Sequence, residues 1–185
     1  ELVAPGVTTE ELDAEADRLC REAGAEPLFK NYPGSGGAGP FPGLICASIN
    51  EQVVHGIPSR DVQIRDGDIV SVDFGVRLND CGGDATETYM VGEVPEKARS
   101  LVETTRETLD IAKRMMRPGE KWSNIARMMQ EHVHSRGFSV VKQFVGHGIG
   151  RHMHEEPKVP NFPSRELLRR DVELAEGLVL AVEPM

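Results

Sequence analysis

The chain has 185 residues, 39% of them hydrophobic and 28% charged, the balance of a soluble globular domain large enough to bury a core. Its 21 basic and 30 acidic residues leave a net charge of −9, which argues against nucleic acid as a partner, since phosphate-backbone affinity needs a surplus of Lys and Arg. No stretch approaches the roughly 18 uninterrupted apolar residues of a membrane span and no basic-then-apolar leader is present, so a cytoplasmic protein without membrane attachment is expected. Cys20, Cys46 and Cys81 are odd in number and far apart, the pattern of reduced thiols rather than of a disulfide framework or zinc knuckle. The first residue is Glu1, and residues 180–185 end on an apolar, strand-like run with no polar tail. The chain therefore reads as one domain incomplete at both ends.

In chain order, Thr8-Thr9-Glu10-Glu11 is a capping-type start, and Leu12, Ala16, Leu19, Cys20 and Ala23 share one helical face before Gly24, which predicts a helix over 8–23. Residues 31–43, rich in glycine and carrying Pro33, Pro40 and Pro42, predict a long loop. The run Ile45 to Val54 alternates like a strand. Residues 68–74 and 84–91 are β-rich and flank the turn signal Asn79-Asp80-Cys81-Gly82-Gly83, which predicts a hairpin. Helical periodicity covers 95–116 and 122–136, separated by Pro118-Gly119. The remainder, 139–185, predicts short strands and loops.

An internal repeat emerges when the halves are superposed. Pro5-Gly6 and a helix ending at Gly24 match Pro118-Gly119 and a helix ending at Gly137, at an offset of 113. The run Asp66-Gly67-Asp68-Ile69-Val70-Ser71-Val72-Asp73 matches Glu176-Gly177-Leu178-Val179-Leu180-Ala181-Val182-Glu183, at an offset of 110. Each half, about 1–95 and about 96–185, reads as helix, loops, then a strand ending on a carboxylate. A duplicated α+β chain with pseudo-two-fold symmetry follows, its antiparallel sheet covered by helices.

Asp73 and Asp84 lie on the two arms of the hairpin, directly opposed or diagonal, with Cβ atoms about 5 to 8 Å apart. Like charges so placed share a proton, take up cations or face open water. His147 is held in Gly146-His147-Gly148-Ile149-Gly150, where the glycines permit close backbone approach. His55 follows the apolar run Val53-Val54 before a turn. The run Arg151-His152-Met153-His154-Glu155-Glu156-Pro157 superficially suggests a zinc helix, but Pro157 argues against the helix that H-E-x-x-H requires. Asp73, Asp84, Glu183 and His147 form an oxygen-rich set with one imidazole, suited to Mn, Fe, Co or Zn. Two such ions, about 3.5 to 4 Å apart, perform metal-assisted hydrolysis.

These residues sit in motifs that resemble the type I methionine aminopeptidases over nearly the whole chain. The motifs are Cys46-Ala47-Ser48-Ile49-Asn50-Glu51-Gln52-Val53-Val54-His55-Gly56-Ile57-Pro58, Gly67 to Asp73, Gly83-Asp84, Gly146 to Gly150, His154-Glu155-Glu156-Pro157 and Glu183-Pro184-Met185. The resemblance implies the duplicated pita-bread fold, two divalent ions, and hydrolysis of the first peptide bond of N-terminal Met-peptides of nascent chains, at the ribosome, by a monomer. It implies that Asp73 chelates one ion, Asp84 bridges both, and His147 and Glu183 hold the other. His154 would contact the peptide and stabilise the developing oxyanion, His55 would lie near the substrate amine or amide nitrogen, and Cys46 would line the methionine pocket. Met153 stands where the family usually places Phe, and Phe41 where Tyr is frequent; both positions touch that pocket. The family also has a bridging glutamate in a strand after the Glu-Pro-Met motif, and the counterpart of Asp84 in the repeat would fall at 194, so the chain as given is expected to bind metal weakly.

Two other readings compete. Prolidases and Xaa-Pro aminopeptidases resemble this fold and metal set, but residues 50–58 and 183–185 favour methionine removal. A non-catalytic binding module of the same fold would have no reason to keep all four ligands and both histidines.

Overall fold

The computed structural model describes residues 2–34 and 39–185. Residues 35–38 of the loop expected over 31–43 lie outside the described residues, and its described flanks carry no helix or strand. The chain divides into two compact units, Glu1–Arg99 with Arg151–Met153, and Ser100–Gly150 with His154–Met185.

In the first unit, α1 (Thr9–Ala23) begins on a full capping box. The Thr8 side chain accepts from the Glu11 amide, the Glu11 carboxylate accepts from the Thr8 amide, and Gly24 closes the helix in the left-handed conformation. Leu12, Ala16 and Cys20, spaced by four, form its buried face. The short β1 (Glu26–Pro27) and β2 (Cys46–Ile49) both pair antiparallel with β3 (Ile69–Leu78), whose whole length pairs with β4 (Cys81–Met90). Leu12, Ala16, Ile45, Ala47, Ile64, Val70 and Val91 make the core of this unit, with Val72 and Phe74 against it. Alternation along β3 sends Val70, Val72 and Phe74 to that core and leaves Ser71 and Asp73 on the opposite face.

Two expectations shift here. The strand expected over 45–54 stops at Ile49, because Asn50 turns the chain at φ 53° and its side chain hydrogen-bonds Asp68 and the Ile69 amide. The hairpin turn is only Asn79-Asp80, both at positive φ as a tight two-residue turn demands, so Gly82 and Gly83 belong to β4.

The second unit holds most of α2 (Glu96–Met115), then α3 (Trp122–Ser135), β5 (Gly146–Gly148), β6 (Glu155–Val159), α4 (Arg165–Arg169) and β7 (Leu180–Ala181). The strands form one antiparallel sheet ordered β6-β5-β7. Ala112, Trp122, Ile125, Ala126, Met129, Val159, Leu167 and Leu174 build its core. Helix α4 escapes a periodicity search because five residues hold barely more than one turn; Ser164 caps it. Residues 155–159 are a strand and not the helix that Pro157 argues against. No helix among the described residues is long and apolar enough to cross a membrane.

The repeat is realised bond for bond inside each unit. Gly6 N–H donates to Ile64 O (2.9 Å) and Gly119 N–H to Leu174 O (2.8 Å). Thr9 N–H donates to Val62 O (3.0 Å) and Trp122 N–H to Val172 O (2.8 Å). Isolated bridges join Thr8 to Gln63 and Lys121 to Glu173. These pairs reproduce the offsets of 113 and 110 seen in the sequence.

Candidate metal centre

In the first unit, register places the polar residues of three strands on one face of the sheet. Cys46 pairs with Asp73, Asp73 with Thr86, Ser71 with Thr88 and Gly75 with Asp84. Asp73 and Asp84 are therefore diagonal neighbours, one of the two arrangements expected. Thr86 Oγ1 donates to Asp73 Oδ1 at 2.7 Å, and the Ser71 and Thr88 hydroxyls lie 2.8 Å apart. The thiol of Cys46 is pushed up to about 12, by burial first, then by the negative charge of Asp73 and, more weakly, of Asp84. Cys46 is thus a neutral, buried thiol beside two carboxylates. Cys20 is buried too, Cys81 is exposed, and all three are unbridged.

His55 lies six residues beyond the end of β2 rather than at a strand end, and its backbone is left-handed, φ 61°. Its position is fixed through its neighbours. The His55 amide bonds Cys46, Gly56 O accepts from Ala47 N–H (2.9 Å), and Gly56 N–H donates to Ser48 Oγ (3.0 Å). A Cβ on Gly56 would stand 2.2 Å from Ala47 O, so only glycine permits this seam. Ser48, which sequence reasoning did not single out, is the buried acceptor that anchors it.

In the second unit, His147 is buried on β5, opposite Ala181 of β7 and Lys158 of β6. Its flanking glycines are dictated by approach: a Cβ on Gly146 would lie 2.3 Å from Ala181 O, and one on Gly148 2.3 Å from Glu156 O. His147 Nδ1 stands 2.8 Å from Gly148 O; a carbonyl only accepts, so Nδ1 carries the proton. With Nδ1 turned to a carbonyl, Nε2 is the ring nitrogen placed to serve as a metal donor. Nε2 faces Glu183 Oε1 at 3.2 Å. The His154 ring lies 4.2 Å from that of His147, centroid to centroid, tilted by 53°.

Glu183 Oε1 is buried and accepts no hydrogen bond among the described residues. A carboxylate oxygen and an imidazole lone pair this close repel unless a proton or a cation lies between them. Two donors each about 2.0 to 2.2 Å from one ion, at roughly 90 to 110°, stand about 3 to 3.5 Å apart. The His147 and Glu183 pair fits a divalent ion by this measure, and the Asp73 and Asp84 carboxylates fit by donor chemistry. Among the described residues, neither unit by itself gathers three or more His, Cys, Asp or Glu side chains into a metal-sized group.

The chain is similar to known metallopeptidases. The sequence profile of Metallopeptidase family M24 matches residues 1–185. Methionine aminopeptidase 1 of Bacillus subtilis (strain 168) is 42% identical over 183 residues, covering 99% of this chain and 70% of that protein. The methionine aminopeptidase of Clostridium acetobutylicum is 44% identical over 181 residues, 98% of this chain and 69% of that protein. Among solved structures, the methionine aminopeptidase of Thermotoga maritima superposes with a TM-score of 0.90 at 38% identity, over 99% of this chain and 70% of that one. A prolidase from Pyrococcus furiosus superposes with a TM-score of 0.79 at 25% identity, over 98% of this chain and 49% of that one.

Proposed function

The chain belongs to metallopeptidase family M24, with methionine aminopeptidases among its relatives, and from that premise we propose that it removes the N-terminal methionine of polypeptides by metal-assisted hydrolysis of the first peptide bond. Its α+β architecture is the duplicated pita-bread fold that the methionine aminopeptidase and prolidase structures share. What carries the choice of substrate is identity of 42% and 44% to two methionine aminopeptidases over nearly the whole chain, against 25% to the prolidase.

In this reading Asp73 and Asp84 supply the oxygen donors of the first unit, and His147 and Glu183 those of the second, for two ions drawn from Co, Mn, Fe or Zn. When bound, such ions polarise the scissile carbonyl and acidify water. With His147 Nδ1 turned to Gly148 O, Nε2 is the nitrogen that would bind the ion. His154, whose ring is tilted against that of His147, would donate to the developing oxyanion. His55, pinned through Gly56 and Ser48, holds the substrate amine or amide nitrogen. Cys46, neutral and buried, lines the pocket for the methionine thioether. The substrates would be nascent chains at the ribosome and the enzyme a cytoplasmic monomer; the net charge of −9 supports a protein that does not itself grip nucleic acid.

The deciding experiment offers Met-Ala-Ser and Ala-Pro-Ala to the protein with added Mn(II) or Co(II). Cleavage of the first alone is expected. Cleavage of the second alone would replace methionine removal with a prolidase-like activity.

A further inference from the structure

Glu183 lies two residues past Ala181, the last paired residue of β7, so no sheet ladder fixes its backbone. Its carbonyl instead accepts from Asn161 Nδ2 at 2.6 Å. Asn161 is 1% exposed, among the most buried polar side chains described. The amide cannot be turned over, because its oxygen would then face the carbonyl oxygen of Glu183.

Asn161 is itself tightly held. Val159, two residues before it, is fully buried in the core of the second unit, and the carbonyl of Pro160 accepts from Trp122 Nε1 at 2.8 Å. Trp122 opens α3 and is 0% exposed. A chain of fixed contacts therefore runs from α3 through Trp122 and Pro160 to Asn161, and from Asn161 to the backbone of Glu183. The other amide atom, Oδ1, is buried and bonds no group among the described residues. Asn161 lines a cavity of about 20 Å³ with Thr104, Thr108 and Pro184, space for one water. A buried amide with one unsatisfied atom is costly to keep, and an apolar residue in its place would remove that cost. Here the retained atom is the donor that reaches Glu183.

We propose that Asn161 is a positioning residue: its Nδ2 clamps the carbonyl of Glu183 and thereby aims the Glu183 carboxylate, 3.2 Å from His147 Nε2, at a divalent ion. The inference rests on the reading of Glu183 as a metal ligand. Groups that orient a ligand typically change metal affinity about 10- to 100-fold when removed.

The test is calorimetric titration of Mn(II) into the full chain and three variants, with Co(II) absorption spectra and thermal melting of the metal-free forms alongside. Asn161→Asp keeps the shape and removes the donor, and about tenfold weaker Mn(II) binding or more is expected, with an altered Co(II) spectrum. Thr108→Val empties the same cavity of a hydroxyl without touching Glu183; lower melting with unchanged Mn(II) affinity is expected. Glu183→Gln separates the two levels of the argument. Unchanged affinity in Glu183→Gln overturns the metal reading and this inference with it. Weakened binding in Glu183→Gln with unchanged binding in Asn161→Asp overturns the clamp alone, as does equal weakening in Thr108→Val. Should Asn161→Asp not fold, the unaltered protein decides: the Asn161 side-chain amide resonances should shift with the backbone amide of Glu183 on adding Zn(II), and an amide unmoved at saturation refutes the clamp.

Discussion

Asp73 and Glu183 occupy the same place in the repeat, 110 residues apart, yet the two units hold them by different means. Asp73 sits inside a ten-residue strand, paired with Cys46 on one side and Thr86 on the other. Its direction follows from the alternation of a ladder that cannot slip without turning every core residue outward. Glu183 stands beyond a two-residue strand; one buried side chain holds its carbonyl, and the next backbone tie is at Met185, whose carbonyl accepts from Val141 N–H at 2.9 Å. A ladder distributes the task over many backbone bonds, whereas at Glu183 itself the amide of Asn161 makes the contact. The second unit should therefore be the more sensitive to single polar substitutions near its carboxylate.

The largest effect belongs to the donors themselves. Asp84→Ala removes one of the two carboxylates that the first unit would offer to metal, and turnover should fall about 10²- to 10³-fold, the equivalent of roughly 3 to 4 kcal/mol of lost transition-state stabilisation. Metal stoichiometry should fall in parallel. Two ions per chain retained in calorimetry on Asp84→Ala would contradict the assignment.

A smaller effect compares the supports. Thr86→Val deletes the hydroxyl that donates to Asp73 Oδ1 at 2.7 Å, but Thr86 is exposed and water can replace it, while the ladder still aims Asp73. Metal affinity should weaken by about three- to tenfold, less than in Asn161→Asp. If Thr86→Val proves the more damaging, the ladder is not what orients Asp73, and the contrast between the units collapses.

What the sequence showed of this and what it hid follow from the same physics. Periodicity and caps marked α1, α2 and α3 to within about two residues, because amphipathic spacing and Thr8 or Gly24 are local signals. The hairpin and the shared face of Asp73 and Asp84 were legible because alternation along a strand decides the face, while the choice of diagonal over direct opposition came only with the register. Motif resemblance supplied the candidate ligands and their proposed roles, which periodicity alone does not. Ser48 and Asn161 were invisible for the converse reason. Ser48 reads as one more small strand residue until Gly56 is seen pressed against it, and Asn161 reads as a loop residue after Pro160 until the chain returns 22 residues later with Glu183. Long-range partners of a single polar side chain leave no period in the sequence.

The smallest predicted effect carries the contrast into the helices. Thr8 and Lys121 are equivalents at the offset of 113, both N-cap residues in extended conformation, but only Thr8 makes a side-chain cap. The start of α3 is tied instead by Asp171, whose carboxylate accepts from the amide of Ser123 at 3.0 Å and from its hydroxyl. Thr8→Ala should lower stability in chemical denaturation by about 1 kcal/mol and Lys121→Ala by less than about 0.5 kcal/mol, whereas Asp171→Ala should match the loss at Thr8. Equal losses at Thr8 and Lys121 would show that the two helix starts are supported alike. The capping box acts within four residues and needs nothing beyond the helix, while Asp171 lies 48 residues from Ser123 and can act only once the second unit has folded. A peptide of residues 5–24 should accordingly lose helicity by circular dichroism on Thr8→Ala, and one of residues 118–137 should be indifferent to Lys121→Ala, since its cap is supplied by the fold and not by its own sequence.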